Sequence, residues 1–348
     1  MRIYKVIFLF ISITLLASGM ACTPKPTETI RKKVTANQYD SAFPGKNDSK
    51  ALVRIMKSVK RVNSTVYYST YVYSQDKRLT SDKIDKINIR KYADKVVNTN
   101  QSTSGTATII YKDKNNIALL TCAHILTFPD TVVTYYKRGY VSDMQYVRSI
   151  SIKRRQVNLL LALPDLGYFK ILAMDQKGDI ALLGARVDQF SNINIPVLDI
   201  PIGDPSKLEW ASFVYVLGYP QGYKMITRAL VSEPDRDVHD SFIMDALFNK
   251  GFSGGLVLAI KGGVPNFEWV GMANSATAKY EYFLKPDISV VDKYDEYTPY
   301  TDPIYIEHRS QIEYGITHAI SVNRIKYFFK NDIQELRKEG YDFRIFLK

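Results

Sequence analysis

Cysteine is scarce in this 348-residue chain, with only Cys22 and Cys122 present. Two thiols exclude a disulfide framework, so a hydrophobic core must hold the fold. Histidine is nearly as rare: His124, His239, His308 and His318 are the whole set. No His, Cys or carboxylate cluster shows metal-ligand spacing, and no glycine-rich phosphate loop appears. No metal or other cofactor is therefore expected. Nucleic-acid motifs are also missing, and no nucleic-acid partner is expected. The net charge of +12 is scattered, with only short clusters such as Lys153-Arg154-Arg155, which reads as a solvated face. The apolar run Val6 to Leu16 is too short to span a bilayer comfortably.

What is present begins with a leader. Arg2 and Lys5 supply a positive end, Val6 to Leu16 an apolar core, and Ala17 to Ala21 small residues. Residues 1–22 read as an export signal. The ending Gly19-Met20-Ala21-Cys22 resembles a bacterial lipoprotein signal, which implies lipidation at Cys22 and anchoring to a membrane in the cell envelope. Gly19-x-Ala21 also suits an ordinary signal peptidase, which would leave a soluble exported protein. Residues 23–50 are rich in Pro, Lys, Thr, Asn, Asp and Ser without apolar periodicity, and read as a flexible linker.

From Ala51 the character changes. Hydrophobic residues make up 46% of the chain, ample for a large core. Ala51 to Val62 suggests a short helix. Ser64 to Ser74 is β-branched and aromatic and reads as a strand, and Gln75 to Gln101 reads as a polar loop. Strands follow at Thr106 to Tyr111 and Ile117 to Cys122, and many more short ones after them. Phe190 to Leu208 carries Pro196, Pro201 and Pro205 and reads as a crossover. Many short strands with turn signals between them fit a closed all-β architecture. In the tail, Ile325, Phe328, Phe329, Ile333 and Leu336 have helical spacing.

The chemistry centres on Asp245 to Leu258, whose middle is Gly251-Phe252-Ser253-Gly254-Gly255. A serine among glycines suits an ordinary turn, or a nucleophile whose neighbouring N–H groups can stabilise an oxyanion. A serine nucleophile needs a base and an orienting carboxylate. His124 follows the apolar run Ile117 to Thr121, and Asp179 opens the run Ile180 to Leu183. Asp175 stands nearby as an alternative acid.

Thr121-Cys122-Ala123-His124, Gly178-Asp179-Ile180-Ala181-Leu182-Leu183 and Gly251-Phe252-Ser253-Gly254-Gly255 resemble, in order, the three motifs of trypsin-like serine peptidases. Asp245-Ala246-x-x-Asn249-x-Gly251-x-Ser253 resembles the HtrA branch in particular. Ser104-Gly105-Thr106, Leu217 to Gly222 and Gly315 to Ser321 fit as well. The resemblance spans about residues 55–330. It implies two six-stranded antiparallel β-barrels over residues 51–330, one at about 64–187 and one at about 210–322. A helical tail follows at 323–348. No residues remain for the PDZ domain of full-length HtrA proteins.

The resemblance also implies a Ser-His-Asp triad of Ser253, His124 and Asp179, cutting protein or peptide substrates through an acyl-enzyme. Gly251 and Ser253 would supply the oxyanion hole. Leu247, Phe248 and Phe252, with the strand Gly271-Met272-Ala273-Asn274, would wall the substrate pocket and suit an apolar P1 side chain. An Asp245 facing the pocket would instead favour basic P1 residues. Phe252 stands where digestive relatives carry an aspartate, so zymogen activation by a new N-terminus is not expected. Cys122 reads as a small buried apolar residue. The tyrosine-rich insertion 276–313 reads as a partner-binding loop or a structural excursion. A catalytically silent relative that binds peptides through the same groove is the rival function.

Overall fold

Alternating apolar and β-branched residues build two antiparallel sheets in the computed structural model, which describes residues 38–46, 48–136, 145–187, 194–236, 241–286, 297 and 304–347. The leader and Cys22 lie outside the described residues, as do parts of the tyrosine-rich insertion. Among the described residues, no helix is long and apolar enough to cross a membrane.

The first sheet has seven strands: β1 (Val59–Val72), β2 (Lys95–Lys112), β3 (Asn116–Thr121), β4 (Thr131–Tyr135), β5 (Val147–Leu160), β6 (Lys170–Asp175) and β7 (Ile180–Arg186). They lie in the order β4-β5-β1-β2-β3-β7-β6. The expected closed six-stranded barrel is here a curled, open sheet of seven. Its strands are very unequal: β1, β2 and β5 run for 14, 18 and 14 residues, and β4 for only five. Closure demands a consistent stagger around the ring, and these lengths leave β4 and β6 as separate edges.

The second sheet closes, as expected. Its strands are β8 (Phe213–Gly218), β9 (Met225–Arg236), β10 (Ser241–Met244), β11 (Gly255–Ile260), β12 (Phe267–Pro286) and β13 (Ile304–Ser321). They form a barrel in the order β10-β13-β12-β11-β8-β9. Inside it, Val214, Val216, Phe242, Met244, Val257 and Ala273 are buried together. A larger core joins both sheets, with Ile109, Leu119 and Leu120 from the first and Leu217, Leu256 and Leu258 from the second.

Several local expectations change. The early helix, α1, spans Ser49–Met56 and stops there, because Val59 and Val62 already belong to β1. Packing also starts before residue 50. Tyr39 is buried, pairs with Lys261, and its hydroxyl donates to Glu268 at 2.7 Å. The polar loop expected up to Gln101 ends sooner, since β2 begins at Lys95. Its first residues are solvent-exposed on both faces, so they carry no hydrophobic alternation to read. Apart from the turn at Tyr297, the tyrosine-rich insertion is strand over its described length. It continues β12 and β13 as a two-stranded arm, paired from Ala278↔Ile312 to Pro286↔Ile304.

The C-terminal helix α2 (Val322–Lys338) starts at a cap, the Ser321 hydroxyl accepting the Arg324 N–H. It buries Val322, Ile325, Phe328, Phe329 and Leu336. Phe329 stacks on Phe343 and Phe346, with centroids 4.7 and 4.4 Å away. The chain after the helix therefore turns back and seals its apolar face. Phe329→Ala should cost about 3–5 kcal/mol of stability through the lost transfer energy and the cavity left behind. Urea unfolding followed by circular dichroism measures this.

Candidate active site

The pairing of β3 with β7 brings the first two motifs together. Thr121 lies opposite Ala181, so the chain leaving β3 and the chain entering β7 meet at one end of the sheet. A short 3-10 turn, Ala123–Ile125, follows β3 and presents His124. Asp179 sits before β7 with φ at +53°, a left-handed conformation that aspartate tolerates better than most residues. Its carboxylate holds His124 twice, Oδ1 accepting the backbone N–H at 2.8 Å and Oδ2 meeting Nδ1 at 2.7 Å. The Asp179 carbonyl also accepts the Ala123 N–H at 3.2 Å. A carboxylate only accepts, so the Nδ1–H donates, and in the neutral ring this leaves the lone pair on Nε2. Half of the His124 side chain is exposed to solvent (46%).

Asp175, the alternative acid, is engaged elsewhere. It accepts the N–H groups of Lys177 and Gly178 and pairs with Arg324 of α2.

The serine loop is fixed by backbone bonds. Phe252 N–H donates to Asn249 C=O, Gly255 N–H to Phe252 C=O, and Gln221 N–H to Lys250 C=O. Gly251 and Gly254 have φ at +103° and +83°, and a Cβ at either would lie 2.4 or 2.0 Å from a backbone carbonyl oxygen. Only glycine fits these two positions. Thr106 of β2 joins this loop to the first sheet. Its N–H donates to Ser253 C=O at 2.8 Å, and its hydroxyl donates to Gly251 C=O at 2.6 Å while accepting the Tyr219 N–H at 2.9 Å. Thr121 closes the join by donating its hydroxyl to Thr106 C=O.

Two further contacts bring the serine loop against the histidine turn. A Cβ on Gly105 would strike Ile125, the residue after His124, at 2.2 Å and lie 3.1 Å from the Ser253 carbonyl oxygen. The Ala273 carbonyl accepts both the Gly254 N–H and the Cys122 thiol, the latter at 3.6 Å. Ser253 itself is largely buried, at 9% exposure. Among the described residues, the N–H groups of Gly251 and Ser253 donate to no acceptor.

Cys122, His124 and Asp179 bring metal-capable atoms within 4.8 Å of one another. The thiol is fully buried, and burial first, then the Asp179 charge, raises its pKa well above the ordinary value. Nδ1 and Oδ2 already bind each other, so a metal ion would have to break that bond and strip the thiol of its proton.

The substrate pocket expected from the sequence needs correction. Phe252 and Phe248 are core residues, 1% and 6% exposed, with ring centroids 6.1 Å apart. Met272 and Ala273 are buried as well, and the backbone from Gly271 to Ala273 pairs with β11 on one side and β13 on the other. That stretch has no free edge on which a substrate strand could add. Asn274 falls in the bulge between Ala273 and Ser275 and is half-buried. Leu247 is the pocket residue left open to solvent, at 57% exposure. The Asp245 carboxylate accepts the Leu230 N–H at 2.6 Å, which makes it a brace for β9. Sequence reasoning missed the role of Thr106. Its signal was the Ser104-Gly105-Thr106 match, which marked the place without the bonding.

The trypsin-like peptidase domain model matches residues 105–265, a span that contains His124, Asp179 and Ser253. Over this span the chain is similar to trypsin-like peptidases. Among solved structures, a serine endoprotease from Yersinia pestis is similar at 16% identity, over 84% of this chain and 68% of that one, with a TM-score of 0.41. No curated protein matches the chain.

Two expected outcomes follow from this geometry. Thr106→Val keeps the side-chain shape but strands the Gly251 carbonyl and the Tyr219 N–H, which should cost about 1–3 kcal/mol per stranded buried group in denaturant unfolding. Cys122 should resist iodoacetamide at pH 8 in the folded protein and react fully in urea, since only the thiolate attacks and the native thiol is buried and protonated. Mass spectrometry of the alkylated peptide distinguishes the two states.

Proposed function

We propose that the protein is an exported serine endopeptidase in which Ser253 is the nucleophile, His124 the general base and Asp179 the residue that orients it. The double bond from the Asp179 carboxylate to the His124 backbone and Nδ1 carries the reading. It fixes the ring and its tautomer, leaving Nε2 to take a hydroxyl proton. In this mechanism the Ser253 hydroxyl gives its proton to His124 as the oxygen attacks the scissile carbonyl. His124 then passes that proton to the leaving amine, and water releases the acyl group by the same route in reverse. The N–H groups of Gly251 and Ser253 are unengaged and suit the oxyanion. Leu247, exposed next to the loop, favours an apolar P1 side chain, and Asp245 is held away by Leu230. The leader pattern and Cys22 support export and lipid anchoring.

The test is labelling of the full chain with a fluorophosphonate probe. Wild type should label, and Ser253→Ala and His124→Ala should not. Asp179→Asn should lower kcat on a peptide substrate by about 10⁴-fold, as loss of the correct tautomer does in a triad. Folded wild type that fails to label would favour a silent peptide-binding module instead.

A further inference from the structure

β2 is paired on one side only over most of its length. Its register with β1 runs without a shift from Val59↔Thr108 to Val72↔Lys95. On the other side β3 reaches only Thr108 to Lys112. The direction of each backbone group follows from two bonds. The Ile109 N–H donates toward β1, to Ser58 C=O, whereas the Thr106 N–H points away from β1, to Ser253 C=O. Backbone groups alternate sides along a strand. Val96, Asn98, Asn100, Ser102 and Ser104 therefore aim their N–H and C=O groups outward, on the edge that ends at Ser253. Among the described residues, none of these outward groups has a hydrogen-bond partner.

Protein edges of this kind are normally protected by charge, proline, a bulge or a cover. From Val96 to Ser104 the sequence is Val-Val-Asn-Thr-Asn-Gln-Ser-Thr-Ser, with no charge and no proline. Nor does its ladder contain a bulge. Val96 is 50% exposed, and Asn98 to Ser102 are all exposed. The edge is long, unbulged and open, and it leads into the candidate nucleophile.

We propose that the outward edge of β2, from Val96 to Ser104, is a strand-addition site for extended polypeptide substrate on the C-terminal side of the cleaved bond. This rests on the peptidase reading of Ser253. Every strand pair of the sheet is antiparallel, and an added strand follows that pattern. Antiparallel to β2, its N-terminal end lies at Ser253 and its chain runs away from the site toward Val96. The residues on β2 are thus those of the leaving amine. At about 3.3 Å per residue, the edge accommodates roughly eight or nine of them. Main-chain bonds supply the affinity, and the short uncharged side chains of Asn98, Asn100 and Ser102 accept many sequences. The substrate class is an extended or unfolded chain with a long segment beyond the cut, rather than a short peptide or a folded loop.

Proline separates the edge from the ladder. At Asn100 it removes an outward N–H and no bond to β1, a place where sheets tolerate it. The probes are fluorescent peptides with leucine before the cut and tails of either three or nine residues after it, the longer tail ending in alternating Thr and Val. Binding to full-length Ser253→Ala is read by fluorescence anisotropy. We expect the nine-residue tail to bind about tenfold tighter, consistent with a few added main-chain bonds. Asn100→Pro, or N-methylation of alternate tail residues, should erase the gain, and Asn100→Ala should retain it. Fluorophosphonate labelling of otherwise wild-type Asn100→Pro should be unchanged. Equal binding of both tails, or a gain that survives Asn100→Pro, overturns the proposal. So does a dimer in sedimentation that Asn100→Pro dissociates without any tail effect, since the edge would then serve a second copy. A tail effect without probe labelling of wild type would retain the edge and reject Ser253 as nucleophile. Labelling without a tail effect would do the reverse.

Discussion

The site depends on one threonine. Thr106 uses its N–H, its hydroxyl and its carbonyl at once, binding Ser253, Gly251 and Tyr219 on the second sheet and Thr121 on the first. All of these groups are buried or nearly so, and each would be costly if unpaired. The serine loop therefore cannot shift without breaking bonds to β2, and β2 cannot shift without disturbing β3, which leads into the turn that carries His124. Gly254 lies so close to the Thr106 carbonyl that no side chain fits between them. The glycines of the motif thus serve the join as much as the turn.

The two halves contribute different parts of the chemistry. The open sheet holds His124 and Asp179, because β3 and β7 are neighbours and their ends meet. The closed barrel holds Ser253, because β11 starts just after it and pairs with both β8 and β12. Neither half contains a complete site. Their shared core of Ile109, Leu120, Leu217 and Leu256 holds the Ser253 loop against the His124 turn.

Motif residues were the most legible part of the sequence. His124 follows an apolar run and Asp179 and Ser253 precede theirs, whereas the barrel of β8 to β13 was expected from the resemblance of these motifs, since β8 and β11 are buried at every position and show no alternation. The remainder failed for physical reasons. Phe248 and Phe252 precede Ser253 closely in sequence, but the tight turn there folds both rings into the core, so proximity to Ser253 says nothing about facing a substrate. The backbone of Gly271 to Ala273 is saturated by two neighbours, which no local pattern discloses. The first half of β2 was read as a loop because hydrophobic alternation marks a strand only when one face is buried. Residues 95–103 are exposed or half-buried, and β1 alone holds them, through ladder bonds and the hydroxyl pairs Thr70–Thr99 and Thr65–Ser102.

That last failure has a functional side. A strand that buries neither face gains little from the hydrophobic effect, and its order depends on backbone bonds along one edge. Such a strand costs stability that a shorter β1–β2 hairpin would save, since ordering each residue opposes folding. The pairing of β1 with β2 nevertheless continues past the core residues Val62 and Ala107 to Val72↔Lys95, with its free edge from Ser104 to Val96 uncharged, unbulged and continuous with Ser253. A bound strand would supply the missing second row of bonds. The same free edge that makes β2 hard to read from sequence makes it suited to reading the backbone of another chain.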